Sequence, residues 1–196
     1  MVPANEGACE VTRLTATTTA QIPGTLVVET AGHSLSVPVD ASTWLWGNAP
    51  LTDWPAWEPG QRYRLSLIDS PTLSFSDEVE IPSPVTVTSP MPSTGVTIDP
   101  TVPYRVSWTP TTCHGSVIVQ IGGTNNVITE YAHCYFDPSR GWGEVPATVL
   151  ARLASYPFVG LGVSSLTETR TRSGDYDIVL AADWGVFQRY IRVTFR

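Results

Sequence analysis

From Glu10 to Ile81 the apolar residues never hold a helical period; they alternate in short runs cut by turn pairs. Side chains of a strand point to opposite faces with period two, so this pattern reads as strands. The runs are Glu10–Thr19, Thr25–Glu29, Ser34–Val39, Ser42–Trp46, Arg62–Ile68 and Glu78–Ile81. Pro23-Gly24, Ala31-Gly32, Gly47-Asn48, Pro59-Gly60 and Ser70-Pro71 separate them, each a turn signal. The run Arg62-Tyr63-Arg64-Leu65-Ser66-Leu67 alternates as a half-buried strand should.

A Pro- and Ser-rich stretch from Ile81 to Gly95 then marks a boundary, placed near Pro82. Val85-Thr86-Val87-Thr88 inside it could equally open the next domain as a strand. Beyond it the strand runs resume: Val96–Ile98, Tyr104–Thr109, Ser116–Ile121, Val127–Cys134, Phe158–Ser165, Asp175–Ala181 and Phe187–Phe195. One helix is expected over Pro146–Ser155. Pro146 suits a first helical position, Val149, Leu150 and Leu153 form a stripe, and Tyr156-Pro157 ends it. The expectation is an all-β protein of two sandwich domains, 1–82 and 83–196, with one short helix in the second.

Composition limits the partners. Hydrophobic residues make up 42% of the 196, enough for a core, and charged residues only 15%. All eleven basic side chains are Arg and the formal net charge is -7. Nucleic acid and anionic membrane surfaces both require clustered basic groups, so neither is an expected partner. No apolar run approaches the roughly 20 residues of a membrane-spanning helix. The segment MVPANEGACEV has neither a basic nor an apolar signal region, and the expectation is an exported protein whose signal lies outside this chain.

Export is inferred from the cysteines. Gly123-Thr124 fits a two-residue type II′ hairpin loop, which pairs Gly122 with Asn125 and Ile121 with Asn126. Carried outward, that register sets Cys113 opposite Cys134 and His114 opposite His133. One face then holds Val117, Val119, Ile121, Ile128, Ala132 and both cysteines, with Glu130 as the misfit. The expectation is a Cys113–Cys134 disulfide, hence an oxidising compartment, with Cys9 left over. A zinc site of Cys113, His114, His133 and Cys134 is disfavoured, because neighbouring strand residues point to opposite faces. His114 and His133 remain weak metal candidates on the solvent face, where two solvated imidazoles are the simpler reading. Cys9 follows Gly7-Ala8 as a lipidated cysteine would, but Glu6 and the lack of a preceding apolar run point to an ordinary thiol.

Tyr104-Arg105-Val106-Ser107-Trp108-Thr109-Pro110 resembles the early core strand of fibronectin type III-like and related immunoglobulin-like modules. Asp175–Gly185 is similar to their late Tyr-containing strand, and the VTVTSP lead-in to the start of such modules in bacterial secreted proteins and lipoproteins. The likeness spans Pro84 to Arg196, and the helix after Val145 departs from the pattern. It implies tandem immunoglobulin-like sandwiches serving as spacers or binding units at a cell surface, fold alone not fixing function.

Other constellations are few. Trp44, Trp46, Trp54 and Trp57 could form a sugar-stacking platform, although packing is the commoner fate of tryptophan. Asp175 and Asp177 share a strand face beside Ser173-Gly174, where solvated turn acids are the simpler reading. There is no Gly-x-Ser-x-Gly elbow, His-Glu-x-x-His, Walker loop or Gly-x-Gly-x-x-Gly. The expected function is a non-catalytic, cofactor-free scaffold, adhesion or assembly module, secreted or in the cell envelope, meeting protein or polysaccharide. The alternatives are a carbohydrate-binding module using the Trp cluster and a hydrolase or metal-dependent enzyme around His114 and His133.

Overall fold

Fourteen strands and one α-helix account for most of the described residues, which in this computed structural model are 9–14, 24–39, 57–90, 95–112, 115–125, 128–184 and 191–196. The strands are β1 (Cys9–Leu14), β2 (Gly24–Thr30), β3 (His33–Val39), β4 (Arg62–Ile68), β5 (Phe75–Glu80), β6 (Val87–Ser89) and β7 (Val96–Ile98). There follow β8 (Tyr104–Trp108), β9 (Ser116–Thr124), β10 (Thr129–Phe136), β11 (Trp142–Val145), helix α1 (Ala147–Leu153), β12 (Phe158–Ser173), β13 (Tyr176–Trp184) and β14 (Ile191–Phe195). The protein is all-β, as its alternation requires. The expected Ser42–Trp46 strand lies outside the described residues.

The chain forms two compact units that are not consecutive in sequence. One comprises Met1–Thr17, Pro82–Leu166 and Asp183–Arg196; the other comprises Thr18–Ile81 and Thr167–Ala182. One crossing falls at Ile81/Pro82, inside the Pro- and Ser-rich stretch. A single cut into 1–82 and 83–196 nevertheless differs from this division. β1 is a strand of the first unit, and Thr167–Ala182 belongs with the earlier residues. Strand pairing is a long-range choice that a composition boundary does not report.

In the smaller unit the sheet order is β3-β2-β4-β5, all antiparallel. The two-residue loop at Ala31-Gly32 closes Thr30 against His33, with Gly32 in the left-handed region at φ 81°. Alternation in β4 buries Tyr63 and Leu67 and exposes Arg62 and Arg64, as read from sequence. The buried Tyr63 hydroxyl donates to Gln61 Oε1 at 2.6 Å, and the Gln61 amide donates to Thr30 Oγ1 at 2.8 Å. Burial raises the Tyr63 phenol above its ordinary pKa. The later half of β12, Thr-Glu-Thr-Arg-Thr-Arg-Ser, alternates hydroxyl and charged residues, a period-two signal continuing past the expected end at Ser165. Its hydroxyls cover the edge strand β5. Thr167 and Thr169 donate to the carbonyls of Glu80 and Glu78, and Ser173 donates to that of Ser74 just before it. Carbonyls at a sheet edge otherwise invite another chain, and alternate hydroxyls satisfy them without a backbone ladder.

The larger unit is a β-sandwich. Its seven-stranded sheet runs β1-β10-β9-β12-β14-β7, with β13 also paired to β12; β14 and β7 are parallel. The second sheet is β11-β8-β6, so the Val85–Thr88 segment does lead into a strand of this unit. Val117, Val119 and Ile121 of β9, Leu161 of β12, Val106 and Trp108 of β8 and Leu150 and Leu153 of α1 meet in one core. The helix places Val149, Leu150 and Leu153 inward as its stripe predicts, with Pro146 at the N-cap rather than in the first turn. Trp108, 2% exposed, donates its indole N–H to the Pro138 carbonyl at 2.9 Å. Glu130, the misfit on the apolar face, is 4% exposed. Its two oxygens accept from Arg152 of α1 at 3.0 and 2.7 Å, which resolves the misfit and ties the helix to the sheet.

The β9–β10 hairpin corrects the cysteine pairing. β9 continues through Gly122-Gly123 to Thr124, which faces Thr129. The loop closes through Asn125, whose N–H donates to the Ile128 carbonyl and whose side chain accepts the Ile128 N–H. Cys134 therefore faces Val119, six residues beyond Cys113. An even slip preserves which face each side chain takes, so the buried set Val117, Val119, Ile121, Ala132 and Cys134 is as read while every partner changes. The glycines mark close approach rather than a turn. A Cβ on Gly122 would lie 2.5 Å from the Tyr131 ring, and one on Gly123 2.8 Å from the Tyr156 ring. The disulfide is Cys9–Cys134, across the β1–β10 pair and 125 residues apart in sequence. Cys9 is thus a partner in the bond, not the leftover. His133 faces Gln120 on one side and Glu10 on the other, not His114. Cys113 and His114 lie outside the described residues.

Candidate functional site

The seven-stranded sheet turns one face to the core and leaves a groove on the other. On that outer face Gly122 of β9 is paired with Gly160 of β12. Tyr131 of β10 stands beyond Gly122, and Arg192 of β14 beyond Gly160. Four successive strands at about 4.8 Å spacing put these two residues roughly 14 Å apart, with two glycines between them. The row beside it carries Thr129, Thr124 and Phe158, with the two threonine hydroxyls 3.1 Å apart in a hydrogen bond. The result is an open groove of about 480 Å³ lined by the backbone of Gly122, Gly123 and Gly160 and by the Tyr131 ring, which packs over Gly122. That volume lies in the range of about 300–1,000 Å³ usual for small-ligand sites.

The chemistry of this groove is aromatic and cationic. Phe158 is 56% exposed, unusual for a phenylalanine. Arg192 is exposed, and no ion pair or hydrogen bond engages its side chain among the described residues. Among the described residues no carboxylate lines the groove, in a chain of net charge -7. The arrangement can stack a flat ligand face on a ring, offer hydroxyls and neutralise one negative charge.

A polar group lies further along the same face. The Tyr131 and His133 rings stack at 18° with centroids 6.4 Å apart. Asp183 hydrogen-bonds with Ser164 and feels the charge of His133. Desolvation is the largest influence and holds the Asp183 carboxyl above the ordinary aspartate range; Ser164 and His133 oppose it. A carboxyl raised on folding favours the folded state most below its unfolded pKa of about 3.9, and that advantage is lost as pH rises through the folded value. Asp183→Asn is therefore expected to raise the melting temperature at neutral pH, with the gain vanishing at the acid end of a pH series of thermal melts. An unchanged difference across the series would contradict the desolvation.

On the smaller sheet of this unit Trp142 meets two guanidiniums, Arg140 at 3.7 Å and Arg105 at 4.2 Å from its ring centroid. Of the four candidate tryptophans, Trp44, Trp46 and Trp54 lie outside the described residues. Trp57 is 41% exposed and packs its ring 4.5 Å from that of Tyr63. Asp175 and Asp177 are both exposed, at the turn joining β12 to β13. Among the described residues no three His, Cys, Asp or Glu gather as a metal-ligand set, and no helix is long and apolar enough to cross a membrane.

The groove leaves little trace in the sequence. Gly160-Leu161-Gly162 reads as a buried strand, and Phe158 and Arg192 sit in separate runs. The available signal was Gly160 inside the Phe158–Ser165 run, since a glycine within a strand marks a bulge or a close backbone approach. No protein-family model matches the chain, and no curated protein matches it in sequence.

Proposed function

We propose that the protein is a non-catalytic module of an extracellular or cell-envelope surface, serving adhesion or assembly by recognising a partner across the outer face of its large sheet. The observation that carries this reading is the open, glycine-lined groove with an exposed ring and a guanidinium that has no partner among the described residues. The Cys9–Cys134 bond supports the compartment, since structural disulfides persist where thiols are not kept reduced. The two-sheet core with buried Trp108 on β8 is in keeping with kinship to fibronectin type III-like and immunoglobulin-like modules. The partner is a surface protein or polysaccharide.

Intact source cells surface-iodinated by an added peroxidase, which labels exposed tyrosines such as Tyr176, provide the test, followed by lysis into an alkylating agent. The chain should be labelled, and Cys9 and Cys134 should escape alkylation. An unlabelled protein with both thiols alkylated would overturn the assignment.

A further inference from the structure

We propose that the groove binds a saccharide carrying a single carboxylate, with a sugar ring stacked on Phe158 and the acid on Arg192. This rests on reading the groove as a recognition surface and adds the chemical class of its ligand. The site lies on β9 and β12, interior strands of the sheet whose backbone groups are committed to neighbours on both sides. A peptide strand cannot add to such a ladder, because strand addition needs a free edge. What remains is recognition by ring faces, hydroxyls and charge. The pyranose face is flat and carries C–H groups, so it suits the exposed Phe158 ring set beside glycine backbone.

Charge narrows the class. Arg192 is exposed, and among the described residues nothing engages its guanidinium and no acid lines the groove to compete for it. A guanidinium recognises a carboxylate through paired hydrogen bonds. A densely charged polyanion such as nucleic acid would meet the repulsion of a chain with net charge -7. One acidic sugar within a neutral oligosaccharide satisfies both constraints. The open form of the groove lets the remaining sugars run out along the sheet.

The probes are xylotriose bearing one glucuronic acid and unsubstituted xylotriose, titrated calorimetrically into the full chain. The acidic probe should bind about tenfold more tightly, the size of one charge-assisted contact. Arg192→Gln should abolish that preference, and Phe158→Ala should weaken both probes by about tenfold. Both side chains are exposed, and thermal melts should show the variants folded. Arg172→Gln, at an exposed arginine of the other unit, should bind as the wild type does. The proposal fails if neither probe binds, if Phe158→Ala and Arg192→Gln bind unchanged, or if Arg172→Gln loses as much as Arg192→Gln. Such a failure in a protein that is surface-labelled and oxidised removes the ligand class alone; a reduced, unlabelled protein removes the surface reading itself.

Discussion

Replacing Cys9 and Cys134 together by alanine is expected to lower the unfolding free energy of the larger unit by about 5 kcal/mol, as the chain-entropy account gives for a loop of this length. The bond spans 125 residues, so its removal releases a very large loop in the unfolded chain. It also frees β1, which among the described residues is joined in the sheet only to β10. A loss of this size is comparable with the whole stability of many domains, about 5–15 kcal/mol. Denaturant unfolding of the double variant measures it. Peptide mapping without reduction should recover a Cys9–Cys134 cross-link. A Cys113–Cys134 cross-link instead would restore the tight-loop register and remove the β9–β10 pairing described above.

Trp108→Ala is expected to cost about 3–5 kcal/mol, the range for truncating a large buried aromatic side chain. Trp108 is 2% exposed, its ring centroid lies 6.0 Å from that of Phe136, and its indole N–H meets the Pro138 carbonyl. Trp108→Phe separates the two contributions. It keeps most of the apolar contact but leaves the Pro138 carbonyl without its donor, a loss of about 1–3 kcal/mol. Equal losses in the two variants, measured by chemical denaturation, would mean that the hydrogen bond rather than the packing dominates. The Ser-Trp-Thr-Pro run that suggested a core strand would then owe its tryptophan to one polar contact.

Strand identity was legible wherever alternation was regular. Arg62–Ile68 coincides with β4, and the Val149, Leu150 and Leu153 stripe with the buried side of α1. The later half of β12 was equally legible, since its hydroxyls and charges alternate, but it invites a reading as loop because its inward residues are polar. Gly122-Gly123 misled for a different reason. Glycine serves both a turn, through its backbone freedom, and a close approach, through its missing Cβ. Only the rings of Tyr131 and Tyr156 distinguish the two, and neither is a near neighbour of these glycines in the chain.

By itself the sequence determined the all-β class, the single helix, and which side chains of β9 and β10 face the core. These follow from local periods of two and 3.6 residues, and an even register slip leaves them intact. The tertiary structure alone decided that β1 pairs with β10, that Cys9 rather than Cys113 meets Cys134, and that Gly122, Gly160, Tyr131, Phe158 and Arg192 share one groove. Those are contacts between segments up to 125 residues apart. No local period encodes such a meeting, because it depends on which strands fill the middle of the sheet and which are left for its edge.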